Sequence, residues 1–261
     1  MSHQIVRISV VSYLNSLPFV YGLEHHPIRE KIILEKDIPS ECAAKLIDDR
    51  ADIGLIPVAA LPLLPAHYFT GDFGIAADGE VRSVLLLSQV PLPSIEKIML
   101  DYQSRTSVKL VQILCAQYWK IVPAFENTKP GFEDLISGTN AAVVIGDRAL
   151  HFRDQYAYVY DLAAEWKKFT GFPFVFALWV SNKIIPNQFL ESFNDALESG
   201  VNQIPSIVND LSPAPFDKDI VLDYLLNRIH YRLNDSMKKG MNLFLQYLQT
   251  ETKKRTTGER P

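Results

Sequence analysis

The sequence predicts an α/β protein made of two lobes with a ligand cleft between them. Short apolar segments rich in β-branched residues alternate with amphipathic helical segments, a pattern typical of βαβ units and a mostly parallel sheet. The alternation occurs twice, and a proline-rich stretch at 89–93 separates the two sets. With 261 residues, 48% of them apolar, the chain is long enough for two lobes with a core each.

The first set of elements occupies the N-terminal third of the chain. Strands are predicted at 5–12, 32–36 and 51–56, with a helix through about residue 23 and another from Pro39. Residues 61–68 are predicted as a short helix or a packed loop. Turn-forming residues follow at 72–79, and 81–87 form the next predicted strand.

The second set begins after the proline-rich stretch. Strands are predicted at 98–101, 141–145, 156–161 and 174–180, with helices at 104–119 and around Trp166. Three helices follow: one from Asn187 that ends at Gly200, one at 220–229 and one at 235–248. The prediction is that 1–88 and 178–249 form the first lobe, that 89–177 form the second, and that 250–261 are disordered.

Composition narrows the classes of function. The net charge of −4 supplies no general attraction to nucleic acid or to an anionic membrane. No stretch reaches the roughly 18 apolar residues that span a bilayer, and the N-terminus lacks a signal-peptide pattern. A soluble, cytoplasmic protein is therefore expected, with its oligomeric state left open. Both cysteines, Cys42 and Cys115, lie in apolar helical patterns and are expected to be buried thiols.

Metal, nucleotide and serine-hydrolase chemistry find no support in the sequence. The six histidines show no metal-ligand spacing, and there is neither a glycine-rich phosphate loop nor a G-x-S-x-G motif. The sequence therefore predicts no metal and no cofactor.

What remains is a set of small polar residues at predicted strand ends, where open α/β sheets bind ligands. Ser104 to Ser107 open a long helix, so backbone N–H groups, hydroxyls and a guanidinium could hold a carboxylate there. Each residue also has an ordinary explanation, as a helix cap, a buried hydroxyl or an exposed charge. The candidates are Ser12, Asn15, Pro57, Val58, Ser83, Ser104, Arg105, Thr106, Ser107, Gly146 and Asp147.

Six motifs in order resemble the chorismate dehydratases of the futalosine route to menaquinone. They are S-Y-L-N-S-L-P at 12–18, A-D-I-G-L-I-P-V at 51–58, V-R-S-V-L-L-L-S at 81–88, S-R-T-S-V at 104–108, V-V-I-G-D-R-A-L at 143–150 and W-K-K-F-T-G-F-P-F-V-F-A at 166–177. The resemblance implies a fold like that of type II periplasmic binding proteins. It also implies a reaction in which chorismate, a small dicarboxylate, loses water to give 3-[(1-carboxyvinyl)oxy]benzoate.

The same resemblance implies roles for individual residues. Asn15 and Ser83 match family residues implicated in catalysis, with Asn15 orienting the leaving hydroxyl or the enolpyruvyl group and Ser83 hydrogen-bonding the reacting centre. A substrate carboxylate would accept the proton. Thr106 and Ser107 would hold a carboxylate, with Ser104 shaping the start of the helix. Arg105 would pair with the ligand or brace the lobes. Strand alternation points Arg82 away from Ser83, so Arg82 is left out of the site.

Two other functions fit the same fold. The sister enzyme 1,4-dihydroxy-6-naphthoate synthase carries a catalytic His about where this chain has Gly146 and Asp147. A non-catalytic protein that binds or senses a small carboxylate is the alternative from a different class. Turnover of chorismate, as opposed to binding alone, separates that alternative from the dehydratase.

Overall fold

The computed structural model describes residues 5–212 and 216–257, and these form two compact units. The first unit comprises the described residues up to Ala76 together with Phe176–Leu233. The second comprises Ala77–Val175 together with the described residues from Asn234 onward. The sequence placed the boundaries at 88/89 and 177/178, so the first one lies twelve residues away from the boundary in the structure.

Most of the predicted elements are present. The strands are β1 Val6–Val11, β2 Ile32–Asp37, β3 Ile53–Pro57, β4 Tyr68–Ala77, β5 Val84–Ser88, β6 Lys97–Leu100, β7 Ala124–Asn127, β8 Asn140–Ile145, β9 Tyr158–Asp161, β10 Phe174–Ser181 and β11 His230–Arg232. The α-helices are α1 Leu17–His25, α2 Pro39–Ile47, α3 Arg105–Ile113, α4 Asp147–Phe152, α5 Leu162–Thr170, α6 Asn187–Asn202, α7 Ile204–Asp210, α8 Lys218–Asp223 and α9 Asp235–Thr257. A π-helix continues α3 at Leu114–Trp119, and another continues α8 at Tyr224–Arg228.

Each unit has its own mixed sheet, whereas a mostly parallel sheet was predicted. The first sheet has the order β11-β4-β10-β3-β1-β2, in which β1 is parallel to β2 and β3, while β10 is antiparallel to β3. The second has the order β7-β6-β8-β5-β9, in which β6 is parallel to β7 and β8, while β5 is antiparallel to β8 and β9. A strand buried on both faces has the same apolar run in either direction, so the sequence pattern does not reveal its direction.

The segment 72–79, predicted as turns, lies largely within the ten-residue strand β4. Its glycines suggested a turn, but Gly74 serves a close approach between strands. A Cβ atom at Gly74 would lie 2.6 Å from the carbonyl oxygen of Ala177 in β10. Glycine inside a strand often marks such an approach, and here it accounts for the wrong prediction.

The C-terminal helix differs most from its prediction. It belongs to the second unit, and it continues through Thr257 although disorder was predicted from residue 250; residues 258–261 lie outside the described residues. Phe244 of α9 packs edge-to-face on Trp166 and Phe174, with ring centroids 6.1 and 5.1 Å apart. This apolar contact fixes the helix in the core of the second unit.

A pair of glycines joins α1 to α6 in the first unit. Gly200 lies inside α6, where it was predicted to end the helix. A Cβ atom at Gly200 would overlap the carbonyl oxygen of Pro18 and lie 2.8 Å from the amide nitrogen of Gly22. A Cβ atom at Gly22 would likewise overlap the carbonyl oxygen of Ala196. The two helices therefore touch backbone to backbone, which fixes the position of α1.

Each unit buries an apolar core of its own. Phe19 lies at the centre of the first, with edge-to-face partners in Phe73, Trp179 and Tyr231. Both cysteines are free thiols and buried, as predicted. None of the helices in the described part of the chain combines the length and the apolar character needed to cross a membrane.

The buried carboxylate of Asp52 ties β1 to the start of β3. It accepts hydrogen bonds from the backbone N–H of Arg7 at 2.7 Å and from the Arg7 guanidinium at 2.7 and 3.2 Å, and Lys183 lies at 2.8 Å. Burial by itself would raise the pKa of Asp52, but the hydrogen bonds from Arg7 and Lys183 outweigh it and lower the pKa to about 2.

The free energy of unfolding of Asp52→Asn should therefore change less with pH in the acid range than that of the wild-type protein. Because the folded-state pKa lies below the ordinary value of 3.8, the stabilisation is complete above pH about 4 and is lost as the pH falls toward 2. We expect a loss of about 1–2 kcal/mol in the free energy of unfolding at pH 7, since the partly exposed cations are screened by solvent.

Denaturant titrations at pH 7 and pH 2.5 measure this loss, and Asp195→Asn is the matched control because Asp195 is exposed and forms no ion pair within the described part of the chain. A deficit in Asp52→Asn that is as large at pH 2.5 as at pH 7 would contradict the assigned pKa.

Candidate functional site

The first unit gathers polar residues at one edge of its sheet. Because β1 and β3 are parallel neighbours, their carboxyl ends lie at the same edge. Ser12 follows β1, is exposed, and donates its backbone N–H to the carbonyl of Asp37 at the end of β2. Pro57 ends β3 and Val58 begins the turn after it, and both are buried. The structure thus places Ser12, Pro57 and Val58 along a single sheet edge.

Asn15 lies at the middle of a 3-10 turn, Leu14–Ser16, at this edge. The buried hydroxyl of Ser16 holds the turn, because it donates to the carbonyl oxygens of Val11 and Tyr13, the latter at 2.8 Å. The side chain of Asn15 is partly exposed and makes no hydrogen bond to another described residue. The fold therefore leaves both the donor and the acceptor of this amide available for a ligand.

Buried residues also pack against the Leu14–Ser16 turn. The π-helix Tyr224–Arg228 packs against Leu14–Ser16, and Tyr224 is fully buried there. Helix α1 begins at Leu17 and is held by its backbone contact with α6. Ser16, the π-helix and α1 together give the Asn15 backbone a defined position, which orienting a reacting group requires.

The second unit gathers its candidates at one edge in the same way. The parallel strands β6 and β8 both end there, and β5, antiparallel to β8, begins there. Ser83 precedes β5, although it was predicted inside the strand, and its carbonyl accepts a hydrogen bond of 2.8 Å from the N–H of Gly146. The Ser83 side chain is buried. Ser83, Ser104–Ser107 and Gly146–Asp147, well separated along the chain, are thus neighbours at one sheet edge.

The Ser104–Ser107 segment begins α3 as predicted. The Ser104 hydroxyl caps the helix by accepting the backbone N–H of Ser107 at 3.0 Å, so that N–H is already bonded. Thr106 and Ser107 are buried, whereas Arg105 is exposed and forms no ion pair within the described part of the chain. Arg105 is therefore the exposed cation of this segment.

An ion cluster that the sequence did not reveal holds Gly146 and Asp147. Arg148 binds the fully buried carboxylate of Asp101 at 2.7 Å and also pairs with Glu133. Burial raises the pKa of Asp101, and the charge of Arg148 opposes that rise. The pair joins the end of β6 to the start of α4. Gly146, at the junction, has φ 65°, a conformation that favours glycine.

Asp161 is another residue whose role the sequence did not reveal. It ends β9 and caps α5, because one carboxylate oxygen accepts the N–H groups of Ala163 and Ala164, both at 3.1 Å. The other oxygen accepts the N–H groups of Val81 at 2.9 Å and Arg82 at 2.6 Å. Burial raises the pKa of Asp161 to about 6, which leaves the carboxylate ionised at pH 7.

Arg82 differs from its prediction as well. It was assigned to a strand, with its side chain on the face opposite to Ser83, but it lies before β5 with φ 66°. A residue in this left-handed conformation does not follow strand alternation. The one sequence signal for Asp161 was its place as an N-cap before the apolar helical pattern at 162–170.

Across the described residues, no group of three or more His, Cys, Asp or Glu side chains is arranged to hold a metal ion. Carboxylates also lie at the edge of the second unit: Asp101 and Asp161 are bonded within the protein, and Asp147 begins α4. The amide, hydroxyl, guanidinium and backbone N–H groups of the two edges can donate hydrogen bonds, and these donors suit an anionic, oxygen-rich ligand.

Comparisons with known proteins show the family. The protein family described as menaquinone biosynthesis matches residues 6–250. A chorismate dehydratase from Thermus thermophilus is 25% identical over 266 residues, covering 88% of this chain and 95% of the relative. A chorismate dehydratase from Campylobacter jejuni is 26% identical over 246 residues, covering 90% and 94%.

Solved structures identify the fold. A protein from Archaeoglobus fulgidus superposes with a TM-score of 0.74 at 13% identity, covering 96% of this chain and 98% of its own. The alkanesulfonate-binding protein from Xanthomonas axonopodis pv. citri, solved with MOPS, has a TM-score of 0.66 at 12% identity, covering 95% and 93%. A Candida albicans protein with the generic periplasmic binding protein fold gives 0.64 at 10% identity, covering 94% and 90%. The predicted periplasmic-binding-protein-like fold is confirmed.

Proposed function

Since this chain belongs to the menaquinone biosynthesis family, we propose that it is a chorismate dehydratase, a hydro-lyase. The supporting observation is that two relatives of that name align along nearly their whole length with this chain. The resemblance found in the six sequence motifs agrees with them. The small-molecule substrate is chorismate, and the product is 3-[(1-carboxyvinyl)oxy]benzoate.

The reaction requires few catalytic groups from the protein. The ring hydroxyl leaves from one carbon, and a proton leaves from the neighbouring carbon that carries the enolpyruvyl ether, so that water is released and the ring becomes aromatic. Aromatisation drives the elimination. Oriented hydrogen bonds can lower much of the remaining barrier, and a carboxylate of the substrate can accept the proton.

Asn15 and Ser83 are proposed to act on the substrate itself. The Asn15 amide can donate and accept without titrating, so it suits the leaving hydroxyl or the enolpyruvyl group. The Ser83 hydroxyl is proposed to hydrogen-bond the reacting centre. Arg105, Thr106 and Ser107 are proposed to bind a substrate carboxylate, with Arg105 supplying the charge. The proposed ligand contacts also include Ser12, Pro57, Val58, Ser104, Gly146 and Asp147.

A direct assay tests the function. The purified protein is incubated with chorismate, and the product is followed by its benzoate absorbance and by mass spectrometry for the loss of one water. Formation of the carboxyvinyloxybenzoate supports the proposal. Binding of chorismate without turnover would favour a carboxylate-binding protein. Inertness toward chorismate together with formation of 1,4-dihydroxy-6-naphthoate from its precursor would favour the sister enzyme.

A cytoplasmic location, with neither a nucleic acid nor a membrane partner, is part of the same proposal.

Ser83→Ala should lower kcat about tenfold to a hundredfold, because one hydrogen bond to the reacting centre is lost. The matched control is Ser88→Ala at the opposite end of β5. Ser88 is equally buried, and within the described part of the chain its hydroxyl bonds to Val90 alone. Steady-state kinetics on both variants compares them at equal folded fraction. Equal kcat values in the two variants would exclude Ser83 from the mechanism.

A further inference from the structure

Ser83 depends on a backbone turn whose conformation needs support. Arg82, directly before it, has φ 66°. An L-residue such as arginine is strained in this left-handed region because its Cβ atom lies too close to the backbone, whereas glycine, which has no Cβ atom, adopts the region without strain. Such outliers persist only where the surrounding structure holds them. Something in the second unit therefore has to hold residues 81–82.

The Asp161 carboxylate supplies that support. One of its oxygens accepts the N–H groups of both Val81 and Arg82, and the other accepts two N–H groups of α5. Asp161 lies opposite Leu85 in the β5–β9 pair, two residues beyond Ser83. A single carboxylate thus ties the turn before Ser83 to the strand and helix beside it.

The opposite side of the turn is held by β8. The N–H of Gly146 donates to the Ser83 carbonyl at 2.8 Å, immediately beyond the Val84–Ile145 pair. The Ser83 backbone is thereby restrained from β8 on one side and, through residues 81–82, from Asp161 on the other. Losing the Asp161 restraint would release the left-handed turn while the β8 contact remains.

We propose that Asp161 is a positioning residue that sets the orientation of the Ser83 hydroxyl by holding Val81 and Arg82 in place, with Arg82 in its left-handed conformation. This inference rests on the proposed dehydratase function and on the role proposed for Ser83. Asp161 acts through the backbone, not on the substrate. Its loss should therefore reduce kcat more than it changes KM.

Asp161→Ser separates this role from helix capping. Serine is a favoured N-cap, so its single short hydroxyl keeps the α5 cap, but it cannot also reach residues 81–82. We expect kcat to fall about tenfold with KM within about twofold, since small displacements of a catalytic group are costly. The matched control is Asp217→Ser, because Asp217 caps α8 through the Asp219 N–H and holds no second segment among the described residues. It should leave kcat unchanged.

A double-mutant cycle shows whether Asp161 acts through Ser83. If it does, Asp161→Ser should cause little further loss of kcat in a Ser83→Ala background, because the group that it positions is already absent. Arg82→Gly should restore part of the kcat of Asp161→Ser, since glycine adopts the turn unaided. Fully additive losses, or no recovery with glycine, would overturn the proposal.

Hydrogen exchange provides a readout that does not depend on activity. In Asp161→Ser, the amides of Val81 and Arg82 should lose protection, while the amides of Ala163 and Ala164 stay protected. Unchanged protection at 81–82 would overturn the proposal even if kcat fell. If the wild-type protein fails to convert chorismate, or if Ser83→Ala is fully active, the proposed function or the proposed role of Ser83 fails. The exchange result then decides by itself whether Asp161 holds the turn.

Discussion

Asn15→Ala should lower kcat about a hundredfold to a thousandfold, the largest effect on catalysis expected from one side chain in this protein. The reason is geometric. Asn15 is partly exposed at the carboxyl end of β1, on a turn that the buried Ser16 hydroxyl holds from behind. Its amide makes no hydrogen bond to another described residue, so truncation should remove the proposed contacts to the substrate and no hydrogen bond within the protein.

Stability measurements separate this loss from unfolding. The free energy of unfolding of Asn15→Ala should stay within about 0.5 kcal/mol of wild type, as for a surface substitution. Asn202→Ala, an exposed asparagine at the end of α6, is the control for the chemical change. Steady-state kinetics and denaturant titration on the two variants measure both quantities. A kcat within about threefold of wild type would remove Asn15 from the mechanism.

Gly200→Ala should destabilise the protein by about 3 kcal/mol, the largest stability effect that we expect. The added methyl group would overlap the backbone carbonyl of Pro18, and backbone in a packed helix pair cannot move aside as a flexible side chain does. In a chain of this size, such a loss lowers the thermal midpoint by roughly 6–12 °C. Calorimetry or thermal circular dichroism measures it.

Neighbouring variants test the cause. Ser199→Ala changes the adjacent position of α6 without a clash and should shift stability by less than about 0.5 kcal/mol. Gly22→Ala overlaps the carbonyl of Ala196 in the same contact, so its effect and that of Gly200→Ala should not add. Additive losses would mean that the two glycines serve separate contacts. Because α1 begins two residues after Asn15, Gly200→Ala should also lower kcat in the folded protein.

Two wrong predictions, at Gly200 and at the segment 72–79, have the same cause. Gly200 was interpreted as a helix end, and the segment 72–79, which contains Gly74, was interpreted as turns. Both glycines lie inside regular elements, opposite a backbone carbonyl of another element. Glycine can mean a turn or a close approach, and only the identity of the packing partner distinguishes the two.

The roles of Asp161 and Arg148 could not be predicted from the sequence for a related reason. The position of Asp161 before a helical pattern is typical of an N-cap, but its second pair of hydrogen bonds goes to residues 81–82, about eighty positions earlier in the chain. Arg148 lies in the motif at 143–150, yet its partner Asp101 follows β6, 47 positions earlier in the chain. Neither contact has a local sequence period, so no helical or strand pattern could reveal it.

What the sequence determined by itself was the order of the buried strands and helices, the polar residues at their ends, and the six motifs. These properties follow from local burial and local geometry, which leave a periodic trace along the chain. The tertiary structure alone decided the direction of β5 and β10, the unit to which α9 belongs, and the carboxylate that holds the turn before Ser83. These depend on contacts between segments far apart in the chain, where packing and hydrogen bonding select one partner among many that are locally equivalent.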